Sequence, residues 1–450
     1  MHEEDYEKTV TFGCIKSNLT IANIVFGFLS VFGQFGYLIC LPLWIDSGSS
    51  FQNLNDKSEV NASSKIRESI TSPLAGNKSD IYKPRIDPIF ILCFTNVTLL
   101  LAFAILLLIA HALNRNEIGE TERKFSQLQF VRTGILDAAG WFFASFAGSG
   151  NRTSPSLQSI LINAIIPLTI IVRYIVLRKV PTIRQFLCAM VVLVSLFICL
   201  LPKIFPSVDS EAVGSGNGAN GVAGVLWPLC FMMYCVPISA FTVYVERTLT
   251  VKLESTGRAV NLIFFLFWSH VYKLLFVLCI FWANLIPGFG YADNIHNFWE
   301  NMSFGFKCFF GGRGCGINSG TSGALYIFSL LCNVTGTSFI RKHGKGATFS
   351  VLLSAVGTPL CFLFWTLFRE SPFGFHPNVT TTTWCNIAGL VLMMPAIFIY
   401  NIESQHVAVP QSNNDETENE RTRLLQIQSR GRQTSLTPFD KNTDTLLSNL

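Results

Sequence analysis

The chain has 450 residues, half of them hydrophobic and only 14% charged, with a mean hydropathy of +0.42. Soluble proteins carry about a quarter charged residues, so the deficit excludes an ordinary water-soluble domain and points to a lipid environment. The net charge of +5 is too small and too scattered for a nucleic-acid partner.

From the N-terminus, residues 1–17 are polar and lack the basic start and small-residue exit of a cleavable signal, so the first apolar run is read as a signal-anchor. A membrane-spanning helix needs about twenty mostly apolar residues. Ten runs satisfy this: 18–44, 88–111, 128–148, 156–177, 184–201, 222–245, 259–286, 322–340, 348–368 and 382–402. An all-α polytopic membrane protein of ten transmembrane helices is expected, with both termini on one side.

The connections alternate in chemistry. Arg115, Arg123 and Lys124, then Arg178, Lys179 and Arg184, then Arg247, Lys252 and Arg258, then Arg341, Lys342 and Lys345 fall on one side. The polar loop 46–87, the Gly-rich linker 203–221, the loop 287–321 and the segment 369–381 fall on the other. The Lys/Arg bias places the basic set, the N-terminal segment and the tail 403–450 in the cytosol. The other side would be lumenal, and it carries sequons at Asn61, Asn77, Asn301 and Asn378, read as glycosylation sites.

Most of the thirteen cysteines lie inside apolar runs and have no CxxC spacing, so neither a metal site nor a cofactor is expected. Cys308 and Cys315 are the cysteines of the lumenal loops. An oxidising lumen favours a disulfide between them, the alternative being two free interfacial thiols. Just before them, Ile295, Phe298, Trp299, Met302 and Phe306 recur at helical spacing, as in an amphipathic helix lying on the membrane surface or one buried in the loop.

An internal repeat divides the chain at about residues 18–202 and 222–402. The fourth run, from Ser156 to Pro167, lies over the ninth, from Thr348 to Pro359, without a gap, and both prolines are read as helix breaks. Each is preceded by a run with a polar centre, Asp137 in one half and Asn333 in the other. Five spans per half force the halves to enter the membrane from opposite sides, giving two inverted five-helix repeats with a site between them near the bilayer midplane.

Leu128-Gln-Phe, Leu136-Asp137-Ala138, Asn151-Arg-Thr, Leu157-Gln158-Ser159 and Ile166-Pro167 resemble the chloroquine-resistance transporter-like family, a branch of the drug/metabolite transporters. The resemblance continues in Cys308-Phe309-Phe310-Gly311 and in the approach to Pro359. It implies two inverted five-helix halves around a cavity open to an acidic digestive or lysosomal lumen. It also implies export of amino acids, peptides or cationic drugs to the cytosol, coupled to protons, with a surface helix and disulfides after the seventh span. The chain departs from the family in having two cysteines there rather than four.

The candidate site gathers from both halves. Asp137, an acid at membrane depth, can hold a cationic group or take a proton. Gln158 and Asn163, in the first turns of the fourth span, offer amides beside a helix N-terminus suited to a carboxylate, or serve as interhelical hydrogen bonds. Ser350 and Ser354 are their repeat counterparts. His270 and Lys273 share a face of the seventh span. The histidine suits proton sensing, and Lys273 either pairs with Asp137 or shifts preference towards anionic solutes. In the tail, Glu420, Leu424 and Leu425 have the spacing of an endolysosomal sorting signal read by a clathrin adaptor.

No Walker motif and no nucleophile–base constellation is present, so neither an ATP-driven pump nor an enzyme is expected. The reading is a proton-linked carrier of small organic solutes in an endolysosomal or digestive vacuole membrane, its partners being solute, protons and the lipid bilayer. The alternatives are a thiol-peptide (glutathione) or nucleotide-sugar carrier of the same fold and, in another class, a channel or non-transporting receptor.

Overall fold

The computed structural model describes residues 9–12, 15–67, 82–113, 119, 122, 124–149, 151–178, 180, 182–205, 219, 221–250, 259–312, 315, 319–343, 347–369, 373–377, 379, 381, 383–396 and 399. For some of these, residues 48–67 and Ser354 among them, it describes the backbone alone. A short hairpin of β1 (Thr9–Phe12) and β2 (Ile15–Asn18) leads into α1 (Leu19–Arg67). The helices α2 (Pro88–Leu113), α3 (Gln127–Ala147), α4 (Pro155–Leu161), α5 (Ile165–Leu177) and α6 (Ile183–Ile204) follow. After these come α7 (Gly221–Met233), α8 (Cys235–Thr250), α9 (Leu262–Cys279), α10 (Ile295–Phe309), α11 (Ser319–His343), α12 (Ala347–Leu367) and α13 (Thr383–Ala396). A two-residue pair, β3 (Phe368–Arg369) and β4 (Gly374–Phe375), lies between α12 and α13.

Each of the ten apolar runs is mainly helical over its described residues. Among the described residues six stretches are long and apolar enough to cross a membrane: Leu19–Ser47, Pro88–Leu113, Pro155–Val176, Gly221–Thr250, Leu262–Leu285 and Ser319–His343. Three shorter apolar helices are Phe186–Pro202, Gly357–Leu367 and Thr383–Ala396. The outer faces carry exposed large apolar side chains such as Ile24 and Phe28 on α1 and Leu101, Ile105 and Leu108 on α2. A contiguous apolar exterior of this extent requires lipid.

Three expectations change. Helix α1 continues to Arg67, where a loop from Asp46 is expected from polarity; the stretch contains no proline, and a polar helix loses nothing by leaving the apolar layer. The fourth run does break, but at a 3-10 turn over Ile162–Ala164, just ahead of Pro167. Pro167 has no N–H to give the carbonyl of Asn163 four residues earlier, so the backbone tightens there. Pro359, expected to break its helix likewise, sits inside an uninterrupted α12.

Small residues set the closest helix pairs. Gly33 and Gly36 on α1 lie against Asn333 and Ser329 of α11, and a Cβ on Gly336 would fall 2.7 Å from the Phe26 carbonyl and 2.8 Å from the Ser30 nitrogen. Gly134 on α3 abuts α9, where a Cβ would meet the Ser269 carbonyl at 2.7 Å and the Lys273 nitrogen at 2.9 Å. Such contacts are how membrane helices gain packing energy where no hydrophobic driving force separates them from lipid.

Polar contacts fix the end of the bundle that carries α10. Arg152, in the turn between α3 and α4, lies 3.8 Å from the Trp227 ring centre and 4.0 Å from that of Tyr291, and donates to the Phe146 and Phe289 carbonyls at 2.7 and 2.9 Å. That stack ties the turn to α7 and to the segment after α9. Cys308 and Cys315 are joined in a disulfide, with Cα atoms 5.2 Å apart. On α10, Phe298, Asn301, Gly305 and Cys308 face the bundle, while Ile295, Trp299 and Phe306 stay exposed as an apolar stripe.

Asp87 opens α2. It accepts from the Ile89 N–H at 2.7 Å and from the Asn284 amide, and is fully buried. Burial pushes its carboxyl up to about 6, against hydrogen bonds from Ile89 and Asn284 that pull it down. The folded chain therefore holds this proton more tightly than the unfolded chain, and the associated stability, present below about pH 4, is lost as pH rises through about 6. Asp87→Asn keeps an acceptor for Ile89 and is expected to remove about 3 kcal/mol of pH dependence over the whole range, of which about 1 kcal/mol falls between pH 5 and pH 7. Thermal midpoints of the two proteins in detergent at pH 5 and pH 7 test this: the wild-type difference should shrink in the variant, and an unchanged difference would refute the assignment.

Candidate functional site

Between α1, α3, the 3-10 turn, α8, α9, α11 and α12 lies a cavity of about 90 Å³. That is room for several waters or for the polar end of a small solute. One wall is aromatic: Tyr37 meets Trp141 edge-on at 5.3 Å, and Trp141 meets Tyr234 at 5.6 Å. The lining also has a polar part, with Thr242, Asn333, Thr337, Ser338 and Arg341.

Asp137 lines the cavity from α3 and is 6% exposed. Lys273 of α9 reaches it from behind the lining, its Nζ 2.8 Å from Asp137 Oδ2. The ammonium also lies 5.6 Å from the centre of the Trp141 ring. This pair, one of the two readings open for Lys273, follows from Gly134, which lets α9 approach α3 one turn away. His270, one turn below Lys273, also lines the cavity. Its Nδ1 lies 2.8 Å from the Leu266 carbonyl, and its buried Nε2 makes no hydrogen bond. Because a carbonyl can only accept, Nδ1 carries the ring hydrogen and Nε2 is the bare acceptor nitrogen.

The remaining predicted residues divide. Asn163 faces the cavity from the 3-10 turn and donates to Thr358 Oγ1 of α12 at 3.1 Å, linking the fourth and ninth spans. Asn333 lines the cavity and donates to the Ser30 carbonyl at 3.0 Å. Gln158 does not reach it. Its amide folds back on the carbonyls of Gly148 and Thr153 at 2.9 and 2.7 Å and closes the α3–α4 turn. The helix N-terminus expected to face a carboxylate is thus occupied with its own turn, and the 3-10 segment one turn on meets the cavity instead. Ser350 accepts from Arg341 Nε at 3.2 Å and so acts on the site through that arginine.

Asn301 is 0% exposed, its Oδ1 accepting from the Arg85 N–H at 3.0 Å and its amide donating towards the Tyr291 carbonyl at 3.4 Å. It leaves no room for a glycan, which corrects its reading as a glycosylation site. Asn77, Asn378, Glu420, Leu424 and Leu425 lie outside the described residues, and for Asn61 and Ser354 only the backbone is described.

Arg341 is the functional candidate that sequence reasoning missed. In the sequence it belongs to a basic cluster, Arg341, Lys342 and Lys345, of the kind that marks a helix end. In the fold Lys342 donates to the Val260 carbonyl at 2.8 Å, while Arg341 is only 9% exposed and lines the cavity.

The fold and site define a multi-pass, all-α membrane protein that encloses a polar, charged cavity among its helices. The chain belongs to the chloroquine-resistance transporter-like (CRT-like) family, whose profile matches residues 87–400, and this is a family of membrane transporters. It is 24% identical over 336 residues to Crt homolog 3 of Dictyostelium discoideum, an overlap of 67% of this chain and 64% of that protein. Crt homolog 1 of the same organism is 25% identical over 168 residues, covering 37% of this chain and 32% of that protein. Crt homolog 2, also from that organism, is 29% identical over 89 residues, covering 20% and 18%. The chain thus spans just under two thirds of the length of the first of these relatives and less of the others.

Proposed function

We propose that the protein is a secondary active transporter that moves small organic solutes, such as amino acids, small peptides and cationic metabolites, from an acidic vacuole or lysosome to the cytosol. Transport proceeds by alternating access and is coupled to protons. The observation that carries this reading is the buried Asp137–Lys273 pair beside a polar cavity. Buried ionisable groups within membrane spans are costly and mark ion and substrate pathways. Release of Lys273 lets Asp137 take a proton, and its return expels that proton, so solute occupancy and protonation become linked.

Ten spans in two inverted halves account for the packing. Exchanging each of the first five spans for its counterpart turns the contact of α1 with α11 into that of α8 with α3, and the contact of α1 with α12 into that of α8 with α5; all four occur. The pairs α2–α9 and α4–α12 map onto themselves. Asp137 and Gly140 correspond to Asn333 and Gly336, and both glycines press on the first span of the opposite half. The spacing of Glu420, Leu424 and Leu425 supports adaptor-directed delivery to an endolysosomal membrane.

The test is uptake into proteoliposomes under an imposed pH gradient, screening amino acids, small peptides, glutathione and nucleotide sugars. Asp137→Asn is expected to reduce proton-driven accumulation at least about 100-fold while the protein stays monodisperse, since the amide cannot cycle a proton. Undiminished accumulation in that variant would refute the coupling role of Asp137.

A further inference from the structure

We propose that Arg341 is the anion-anchoring residue of the cavity, so that the transported solutes carry a carboxylate or similar anionic group and simple cations are disfavoured. The inference rests on the carrier reading above and narrows its substrate class. It follows from where the charges fall. The acid of the lining, Asp137, is already neutralised by Lys273 from behind. Arg341 also lines the cavity, and among the described residues it makes no ion pair. Its Nε is held by Ser350, and its guanidinium carbon lies 5.6 Å from the Phe241 ring centre. Arg341 is therefore the charge of the lining with no counter-ion in contact. Two acids act on Arg341 through space, Asp137 first and then Glu246 of α8, which stands outside the lining.

A guanidinium taken out of water without a counter-charge is unfavourable, and an incoming anion relieves that cost. The planar fork of arginine matches a carboxylate through two parallel hydrogen bonds, a geometry that a lysine does not offer. Ser338, on the same helix as Arg341, also lines the cavity and supplies a hydroxyl donor for a second oxygen, whereas the Thr337 hydroxyl is given to the Asn333 carbonyl at 2.7 Å. The aromatic wall of Tyr37, Trp141 and Tyr234 then takes the apolar part of the solute.

Three probes of nearly equal size separate the charge types: the zwitterion Ala-Ala, the anion N-acetyl-Ala-Ala and the cation Ala-Ala amide. Uptake of each, radiolabelled, is measured in proteoliposomes of the full chain under one pH gradient. Wild-type protein is expected to take up the two carboxylate-bearing probes at least about ten times faster than the amide. Arg341→Gln is expected to abolish that preference, and Arg341→Lys to keep its direction while weakening it. A wild-type preference for the amide would overturn the inference while leaving the carrier reading intact, and it needs no variant. An unchanged preference in folded Arg341→Gln would do the same. Failure of folded wild-type protein to take up any of the three, or any solute of the wider screen, would overturn this inference together with the carrier reading.

Discussion

Lys273→Met is expected to destabilise the folded chain by about 3–5 kcal/mol, because it leaves Asp137 as a buried carboxylate with no counter-charge. The double variant Asp137→Leu with Lys273→Met is expected to recover most of that loss, since a buried ion pair is often matched in stability by apolar residues of similar volume. The surroundings favour this outcome: the pair is 6% and 8% exposed at its side chains, and the Trp141 ring stands 5.6 Å from the ammonium. Denaturation in mild detergent, run as a double-mutant cycle, should return a coupling energy of at least about 2 kcal/mol. Additive single effects would mean that the two charges do not depend on each other. The same double variant should be inactive in uptake, which separates what the pair does for function from what it does for the fold.

Gly134→Ala is the second large effect. At an open position in a helix this exchange gains up to about 1 kcal/mol, because alanine restricts the unfolded chain. At residue 134 the sign reverses. The new Cβ would stand 2.7 Å from the Ser269 carbonyl, 2.8 Å from Tyr272 Cβ and 2.9 Å from the Lys273 nitrogen, and two of these three are backbone atoms that cannot rotate aside. Overpacking of this kind costs about 1–3 kcal/mol. It also drives α9 away from α3 at the turn that presents Lys273, so proton-driven uptake should fall with stability. Gly27→Ala is the matched control: its Cβ would meet Leu353 Cδ1 at 3.5 Å, an ordinary contact, and no loss is expected there. Equal effects at the two positions would show that the α3–α9 seam does not matter.

What could be read from the sequence follows from which forces are local. Apolar run length is a local property, and all ten runs are mainly helical over their described residues. Asp137, His270, Asn163 and Asn333 could be found because a polar group inside an apolar helix needs a reason, and each lines the cavity. Gln158 carried the same signal and turned out otherwise, because its partners are two carbonyls of the preceding turn, and satisfying a turn satisfies an amide as well as a ligand does. Arg341 was hidden for the opposite reason. Neighbouring basic residues at a helix end look alike, yet about 100° of rotation per residue turns Lys342 to the Val260 carbonyl and Arg341 to the cavity. Pro359 shows that a proline interrupts a helix only where its surroundings let the backbone tighten, as they do near Asn163 and not in α12.

The glycine seams have a mechanical consequence. At Gly33 and Gly336 on the α1–α11 seam and at Gly134 on the α3–α9 seam the glycine faces main-chain atoms of the partner helix directly, so neither pair can shear there without driving main-chain atoms into each other. Each pair behaves as one stiff beam. Each beam joins a helix from before residue 203 to one from after it, so the stiff parts of the molecule are woven across its sequence halves. The slip planes lie where larger, softer side chains meet, as along the Tyr37–Trp141–Tyr234 wall. A motion that opens the cavity would move beam against beam along that wall.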